Sequence, residues 1–450
     1  KSLRRQVIAG LIKRHNMTNL LELATPFASV TPDLGNELPW LKSLRLKATA
    51  QFNNDGLPSK KQEDWKYTSL WAMAQQEFTH DANTTELSQA DCDQLALLDD
   101  SYRVVIVDGV FVDELSTIDD VQDGVFLSSL SSDKGVHKAQ PHLNQQIDLD
   151  KAGFNALNTM LMNEGMVLRV EKDVNVDKPI EILTITTGKT DKLASHLRNV
   201  IVLDERSKAT VIESFVGMSD AVSLTNVVSE VVLSSHAELN HYKLQQESDN
   251  AFHIASLAAT QGKSSLWNTC SIALGGKLAR TDISTRLVGQ ESHATLDGLY
   301  ITNNEQHIDH HTRIDHTVPN TTSEELFKGV LDDKSHAVFN GKVIVHKDAQ
   351  KTDANQQNHN LLLSRGCEID TKPEMEIYAD DVKSAHGSTV GQLNEDNLFF
   401  LRARGLDEVS ARSLLTYAFA ADVLDRVPSE TIRTALAARV EMHLPKGAKA

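Results

Sequence analysis

Between about residue 165 and residue 393 one unit recurs, and it constrains the fold more than any other feature of the chain. The unit is a polar turn, a small residue, and a strand that alternates apolar and polar side chains. It reads Leu203-Asp-Glu-Arg-Ser-Lys-Ala209-Thr-Val, then Ser234-Ser-His-Ala237-Glu-Leu, Gly262-Lys-Ser-Ser265-Leu-Trp, Gln290-Glu-Ser-His-Ala294-Thr-Leu and Asp333-Lys-Ser-His-Ala337-Val-Phe. The small residues are spaced by 28, 28, 29 and 43 positions, and the last interval reads as a repeat carrying one insertion. Period-two alternation marks strands. A recurring strand-and-turn unit without long helical windows points to a β-solenoid. Its narrow interior suits Val, Ile, Leu and Ala, in keeping with an aromatic content of only 5%. An antiparallel sandwich with regular turns is the alternative.

The flanks have a different texture. Trp40–Phe52 carries a rough helical stripe that Gly56-Leu57-Pro58-Ser59 breaks. Tyr102–Val107 reads as a strand, with Asp108-Gly109 as a hairpin turn before Val110–Val112. On the far side, Asp407 is placed to cap a helix to about Arg426 whose apolar face holds Leu414, Leu415, Ala418, Phe419, Val423 and Leu424. Ser429 restarts a helix with Ile432, Leu436 and Val440 at i, i+4, i+8. Such a face either docks back on the β-domain or receives a partner. The expected division is an upstream extension at 1–16, basic and acid-free before Met17, and a mainly helical N-terminal region at 17–164. The solenoid follows at 165–395, and a C-terminal helical module at 396–450.

Composition excludes several function classes. A net charge of −17 leaves no basic excess to displace counterions, so nucleic acid is not an expected partner. Cys92, Cys270 and Cys367 are too scattered for a zinc ribbon or a disulfide framework, which fits a reducing, cytoplasmic setting. No run of 18 apolar residues exists, so no membrane association is expected. Gly188-Lys189-Thr190 imitates the end of a phosphate-binding loop, but the position of its first glycine is Leu183.

Two polar clusters stand out. In His307-Ile-Asp309-His310-His311-Thr-Arg-Ile-Asp315-His316, strand alternation would put His307, Asp309 and His311 on one face, with His310 and His316 on the other. Imidazoles and carboxylates at that density could hold a divalent metal; a polar outer face of one coil is the plainer reading. The Asn- and Gln-rich run from Lys351 to Asn360 suits side chains stacked between coils.

The most distinctive string is Asp370-Thr-Lys-Pro-Glu374-Met-Glu376-Ile-Tyr-Ala-Asp380-Asp381-Val-Lys383-Ser384-Ala-His386-Gly-Ser-Thr-Val-Gly391. It resembles the hallmark of the SufB/SufD family of iron–sulfur cluster assembly proteins. The likeness extends to Phe339-Asn340-Gly341, Lys351-Thr352-Asp353, Glu63-Asp64-Trp65-Lys66-Tyr67-Thr68 and Leu401-Arg402-Ala403-Arg404-Gly405-Leu406, over most of residues 56–445. Lacking an N-terminal cysteine cluster, the chain is more similar to the SufD branch than to the SufB branch. A SufB-type paralogue is the alternative, and a carbohydrate-active β-helix enzyme working through Asp380, Asp381, Glu374 and Glu376 a remote one.

The resemblance implies a noncatalytic scaffold, with a right-handed parallel β-helix (solenoid) between helical ends. It implies pairing with SufB through the β-helix and binding of a SufC ATPase through the C-terminal helices, with Arg402, Arg404, Leu414, Leu415, Ala418 and Phe419 as contact candidates. A homodimer is possible for the isolated chain. The nascent cluster would form at the SufB–SufD interface from a SufB cysteine and a SufD histidine. That histidine is His386, with Asp380, Asp381, Lys383 and Ser384 around it to orient it. Ser384 stands where the family pattern has cysteine, and a hydroxyl cannot supply a thiolate. Cys367 could stack near Ser384 if one coil separated them. No tightly bound cofactor is expected in the isolated chain, only a transient cluster or iron in the complex.

Overall fold

The computed structural model describes residue 34 and residues 38–82, 87–149 and 153–444. The extension expected at 1–16 lies outside the described residues. Before the repeat come α1 (Pro39–Asp55), α2 (Trp71–Ala74), α3 (Gln89–Leu95), β1 (Tyr102–Val107), β2 (Val110–Phe111), β3 (Val125–Ser129), α4 (Asp133–Ala139) and α5 (Gly153–Leu161). The repeat comprises β4 (Met166–Val170), β5 (Ile180–Thr186), β6 (Leu193–Leu203), β7 (Lys208–Gly217), β8 (Ser223–Leu233), β9 (Glu238–Gln246), β10 (Phe252–Gln261) and β11 (Leu266–Ala273). It continues with β12 (Leu278–Leu287), β13 (His293–Thr302), β14 (His307–His316), β15 (Thr322–Leu331), β16 (His336–Val345), β17 (Asp353–Leu362), β18 (Glu368–Ile377) and β19 (Lys383–Gly391). Then follow α6 (Glu395–Arg402), α7 (Glu408–Leu424) and α8 (Glu430–His443). No helix among the described residues is long and apolar enough to cross a membrane.

Odd strands β5 to β19 form one sheet and even strands β4 to β18 the other, with successive members of each sheet paired in parallel. The fold is therefore a parallel β-solenoid and not an antiparallel sandwich. Coils run from 26 residues (Phe252 to Leu278) to 33 (Val167 to Val200). The corners explain the repeat. Arg206, His236, Ser264, Glu291, Asn320 and Lys351 all adopt positive φ. Each is followed by a small residue, Ser207, Ala237, Ser265, Ser292, Thr321 or Thr352, that is at most 1% exposed. The hydroxyls of Ser207, Ser265 and Ser292 donate to the carbonyl three residues back at 2.7, 2.8 and 2.7 Å. Successive corners are laced by backbone bonds, such as His236 N to Lys263 O at 2.8 Å.

The 43-residue interval holds no insertion. Ala294 pairs with Ser323, 29 residues on, in the odd sheet, whereas Ala337 pairs with Ile308 in the even sheet. Asp333 also has positive φ, and the Ser335 hydroxyl donates to Asp332 O at 2.7 Å. The same corner thus serves the opposite edge, so the interval spans about a coil and a half.

Apolar side chains, mostly aliphatic, fill the interior, from Val170 and Ile182 through Leu239 and Trp267 to Phe327 and Val345. Each outer face has its own cover. Phe52, Trp65, Met73, Phe154 and Leu157 pack on Ala194, Leu224, Phe252 and Leu278 of the even sheet. Ala420, Val423, Leu424, Ile432, Leu436 and Val440 pack with Tyr242, Cys270, Ile272, Leu299 and Val330 of the odd sheet. The C-terminal helices thus dock back, started by Asp407, which accepts from Ser410 N, and by Ser429, which accepts from Ile432 N. Arg198 and Glu230, both fully buried, meet under the N-terminal cover, where Glu230 also accepts the backbone N–H groups of Asn144, Gln145 and Gln146.

The segment expected to be mainly helical before residue 165 also extends both sheets. β1 pairs in parallel with β5, and β3 antiparallel with β4. The β1–β2 hairpin turns on Asp108 (φ 49°) and Gly109 (φ 81°), the two positive angles a type I′ turn needs.

Candidate functional site

The hallmark string is the last coil: β18, its corner and β19. Each strand is the end member of its sheet, so each has one edge without a partner strand among the described residues. Earlier coils are almost wholly buried, whereas β18 is half-buried and β19 is exposed along most of its length. The C-terminal helices pack on the middle of the odd sheet and leave this end open.

His386 lies on β19, exposed, in register with Gln356 of β17, which is in register with Glu325 of β15. In a parallel ladder, residues in register point to the same face, so the three form one column from the solenoid interior to its open end. Gln356 and Glu325 are buried. Gln356 Nε2 donates to Glu325 Oε2 at 2.6 Å, and Gln356 Oε1 has no hydrogen-bond partner. Burial pushes the Glu325 carboxyl up to about 7, against the opposing effect of the hydrogen bond it accepts from Gln356. Gln356 belongs to the Asn- and Gln-rich run. There Asn358 also bonds between coils, its Nδ2 donating to Phe327 O at 3.2 Å.

Asp380, Asp381, Lys383 and Ser384 fall on the corner and first residues of β19, all exposed. Ser384 is in register with Ala354. Cys367 does not stack on it. The 17 residues between them are about half a coil, and Cys367 lies just ahead of β18 in the other sheet, donating to Ser364 O at 3.1 Å. Glu374 pairs with Lys372 and Glu376 with Lys342, so these carboxylates are held by lysines and not free in a groove.

His307, Asp309 and His311 share the outer face of β14, and His310 and His316 point into the buried interior, as alternation required. The structure does not leave the outer three as a free donor set. Asp309 Oδ2 accepts from Arg280 Nη1 at 2.8 Å and from the Thr68 hydroxyl at 2.5 Å, while its Oδ1 is 3.0 Å from His311 Nε2. His307 Nε2 is 2.9 Å from Thr68 Oγ1, and burial pushes its pKa down to about 4. Asp309 is thus committed to Arg280, which also donates to Asp64 O at 2.6 Å and lies over Trp65. This junction binds the Glu63–Thr68 segment to the even sheet. A buried Arg meeting a distant Trp and Asp left no local signal in the sequence. The same segment reaches the last coil, where Glu63 accepts from Lys372 at 2.9 Å.

Among the C-terminal candidates, Leu414 and Ala418 are exposed, and Leu415 and Phe419 half-buried. Arg402 pairs with Glu408 at 3.3 Å, and Arg404 lies 3.3 Å from the centre of the Phe400 ring. Phe399 and Phe400 add to the exposed apolar surface beside them.

Residues 185–419 match the model of the SUF system FeS cluster assembly SufBD core domain, and residues 34–182 match that of the SufBD protein N-terminal region. The iron–sulfur cluster assembly protein SufD of Escherichia coli (strain K12) is 33% identical over 402 residues, 89% of this chain and 92% of that protein. An iron–sulfur cluster assembly SufBD family protein of Synechocystis sp. is 32% identical over 410 residues, 89% and 90% of the two chains. SufD of Bacillus subtilis (strain 168) is 25% identical over 425 residues, 90% and 94% of the two chains. With both family models matched across the N-terminal cover and the solenoid, the chain belongs to the SufBD family of SUF-system iron–sulfur cluster assembly proteins.

Proposed function

We propose that the chain is a noncatalytic, SufD-like scaffold that pairs its last coil with SufB and its C-terminal helices with a SufC ATPase. The observation that carries this reading is the open solenoid end: the most family-specific string forms a terminal coil whose two strands each keep a free edge among the described residues. Free edges recruit another chain's strands. Gly387 points the same way. Nothing lies within 4 Å of where its Cβ would be, so the chain's own packing does not call for glycine there, whereas a closely approaching partner backbone would.

At such an interface the cluster or iron is cargo held between two subunits. Neutral imidazole is a competent iron ligand, and His386 stands exposed at the end of the Glu325–Gln356 column to offer it. Ser384 cannot provide a thiolate, so the sulfur ligands come from SufB. The exposed surface of Phe399, Phe400, Leu414 and Ala418 supplies the SufC contact. Nucleotide chemistry then belongs to SufC, consistent with a chain that carries no complete phosphate-binding loop in its sequence.

The test is co-expression with SufB- and SufC-type partners. Gly387→Glu is expected to leave the isolated chain's melting temperature unchanged and to abolish co-purification of SufB while SufC binding persists. A Gly387→Glu chain that still assembles the full complex would overturn the pairing.

A further inference from the structure

The outer wall of the last two even-sheet strands carries a donor set separate from the His386 column. His336 opens β16 and Glu368 opens β18, and the parallel register sets them side by side, with Asp370 two residues further along the same face. One ligand atom from each of His336, Glu368 and Asp370 lies within 4.8 Å of the other two. His336 Nε2 and Asp370 Oδ2 are 2.9 Å apart. Two ligands at right angles around an ion, each bonded at about 2.1 Å, stand about 3.0 Å apart. In the preceding coil His307 is in register with His336, and its ring meets the His336 ring edge-on with centroids 4.6 Å apart, which restricts the orientation of that imidazole.

The carboxylates here differ from the others on this wall. Asp309 is held by Arg280, Glu374 by Lys372 and Glu376 by Lys342. Among the described ion pairs neither Glu368 nor Asp370 is held by a lysine or an arginine, and Asp370 meets only His336. A histidine–aspartate hydrogen bond needs one carboxylate; the second places two negative charges on one imidazole. These residues open on a hollow of about 460 Å³, to which Lys60, Lys66 and Lys277 also contribute. The lysines supply counter-charge for an anionic ligand on the open side of the site.

We propose that His336, Glu368 and Asp370 form a divalent-cation site on the outer wall of the terminal coils, with an open coordination position facing the hollow. One imidazole and two carboxylates make a borderline-to-hard donor set. It suits Fe(II), Mn(II) or Zn(II) and not Cu(I), which prefers sulfur.

The experiment uses the full chain, stripped with chelator, and anaerobic titration calorimetry with Fe(II), Mn(II) and Zn(II) in turn. One ion per chain is expected, together with a rise in melting temperature. His336→Gln, Glu368→Gln and Asp370→Asn should each weaken binding by at least about tenfold, the loss seen even for outer partners of metal ligands. Their melting temperatures without metal should match that of the parent, because all three side chains reach solvent. His386→Ala and Cys367→Ser should bind as the parent does. Absence of binding by all three ions would overturn the site. So would binding that survives the His336→Gln/Asp370→Asn double variant or disappears with His386→Ala.

Discussion

The guanidinium of Arg280 lies 3.8 Å from the centre of the Trp65 ring, so a residue of the repeat clasps one from the N-terminal cover. Arg280 is 2% exposed and neutralises Asp309, which is fully buried. Removing one partner of a buried pair leaves the other charged and unsolvated. Arg280→Ala is expected to cost about 3–5 kcal/mol in urea unfolding. Arg280→Lys should recover little, because a point charge cannot bridge Asp64 O, Asp282 and Asp309 while stacking on an indole.

Glu325 makes stability depend on pH. Its folded pKa, about 7, lies above the ordinary value, so the folded state holds the proton more tightly than the unfolded one. The stability this group contributes is complete below the unfolded pKa and is lost as pH rises through 7. Glu325→Gln keeps an acceptor for Gln356 and removes the titration. Its stability relative to the parent should rise between pH 5 and pH 8, by at most about 3 kcal/mol, in parallel urea titrations. A difference that stays flat with pH would show that Glu325 is ionised throughout.

The three thiols should separate by reactivity. Cys92 and Cys270 are buried, and burial pushes both thiols up, Cys270 strongly. Cys367 is half-exposed. Iodoacetamide at pH 8 should modify Cys367 alone in the native chain and all three thiols in urea, as read by mass spectrometry.

The exposed face of α7 offers a test of the SufC contact. Leu414 is 47% exposed and points away from Ala420, Val423 and Leu424, which anchor the helix to the odd sheet. Leu414→Asp should leave the melting temperature within the error of measurement. Affinity for a SufC-type ATPase should fall by about tenfold or more in a pull-down or titration.

Much of this architecture is legible in the sequence, and the points where the structure departs from it share a cause. The corner string at Asp333–Ala337 so closely repeats that at Gln290–Ala294 that the sequence puts both on one edge and needs an insertion to absorb the extra length. The structure puts it on the opposite edge, because one corner geometry, a positive-φ residue followed by a buried small one, serves both. Cys367 and Ser384 likewise suggest a full coil between them, whereas half a coil separates them. His307, Asp309 and His311 do share a face, but the site this wall offers draws on His336, Glu368 and Asp370, residues spread over two strands.

By itself the sequence determined what is local. Alternation set which side chains face inward, Asp108-Gly109 set the hairpin, Asp407 and Ser429 set the helix starts, and the string from Asp370 to Gly391 marked the family. Tertiary structure alone decided which coil meets which. Gln356 lies under His386, and Glu368 beside His336, only because residues some thirty positions apart fall into register. A period of two assigns a face and says nothing about the neighbour on it; that neighbour depends on the length of each coil, which is fixed when its corners stack.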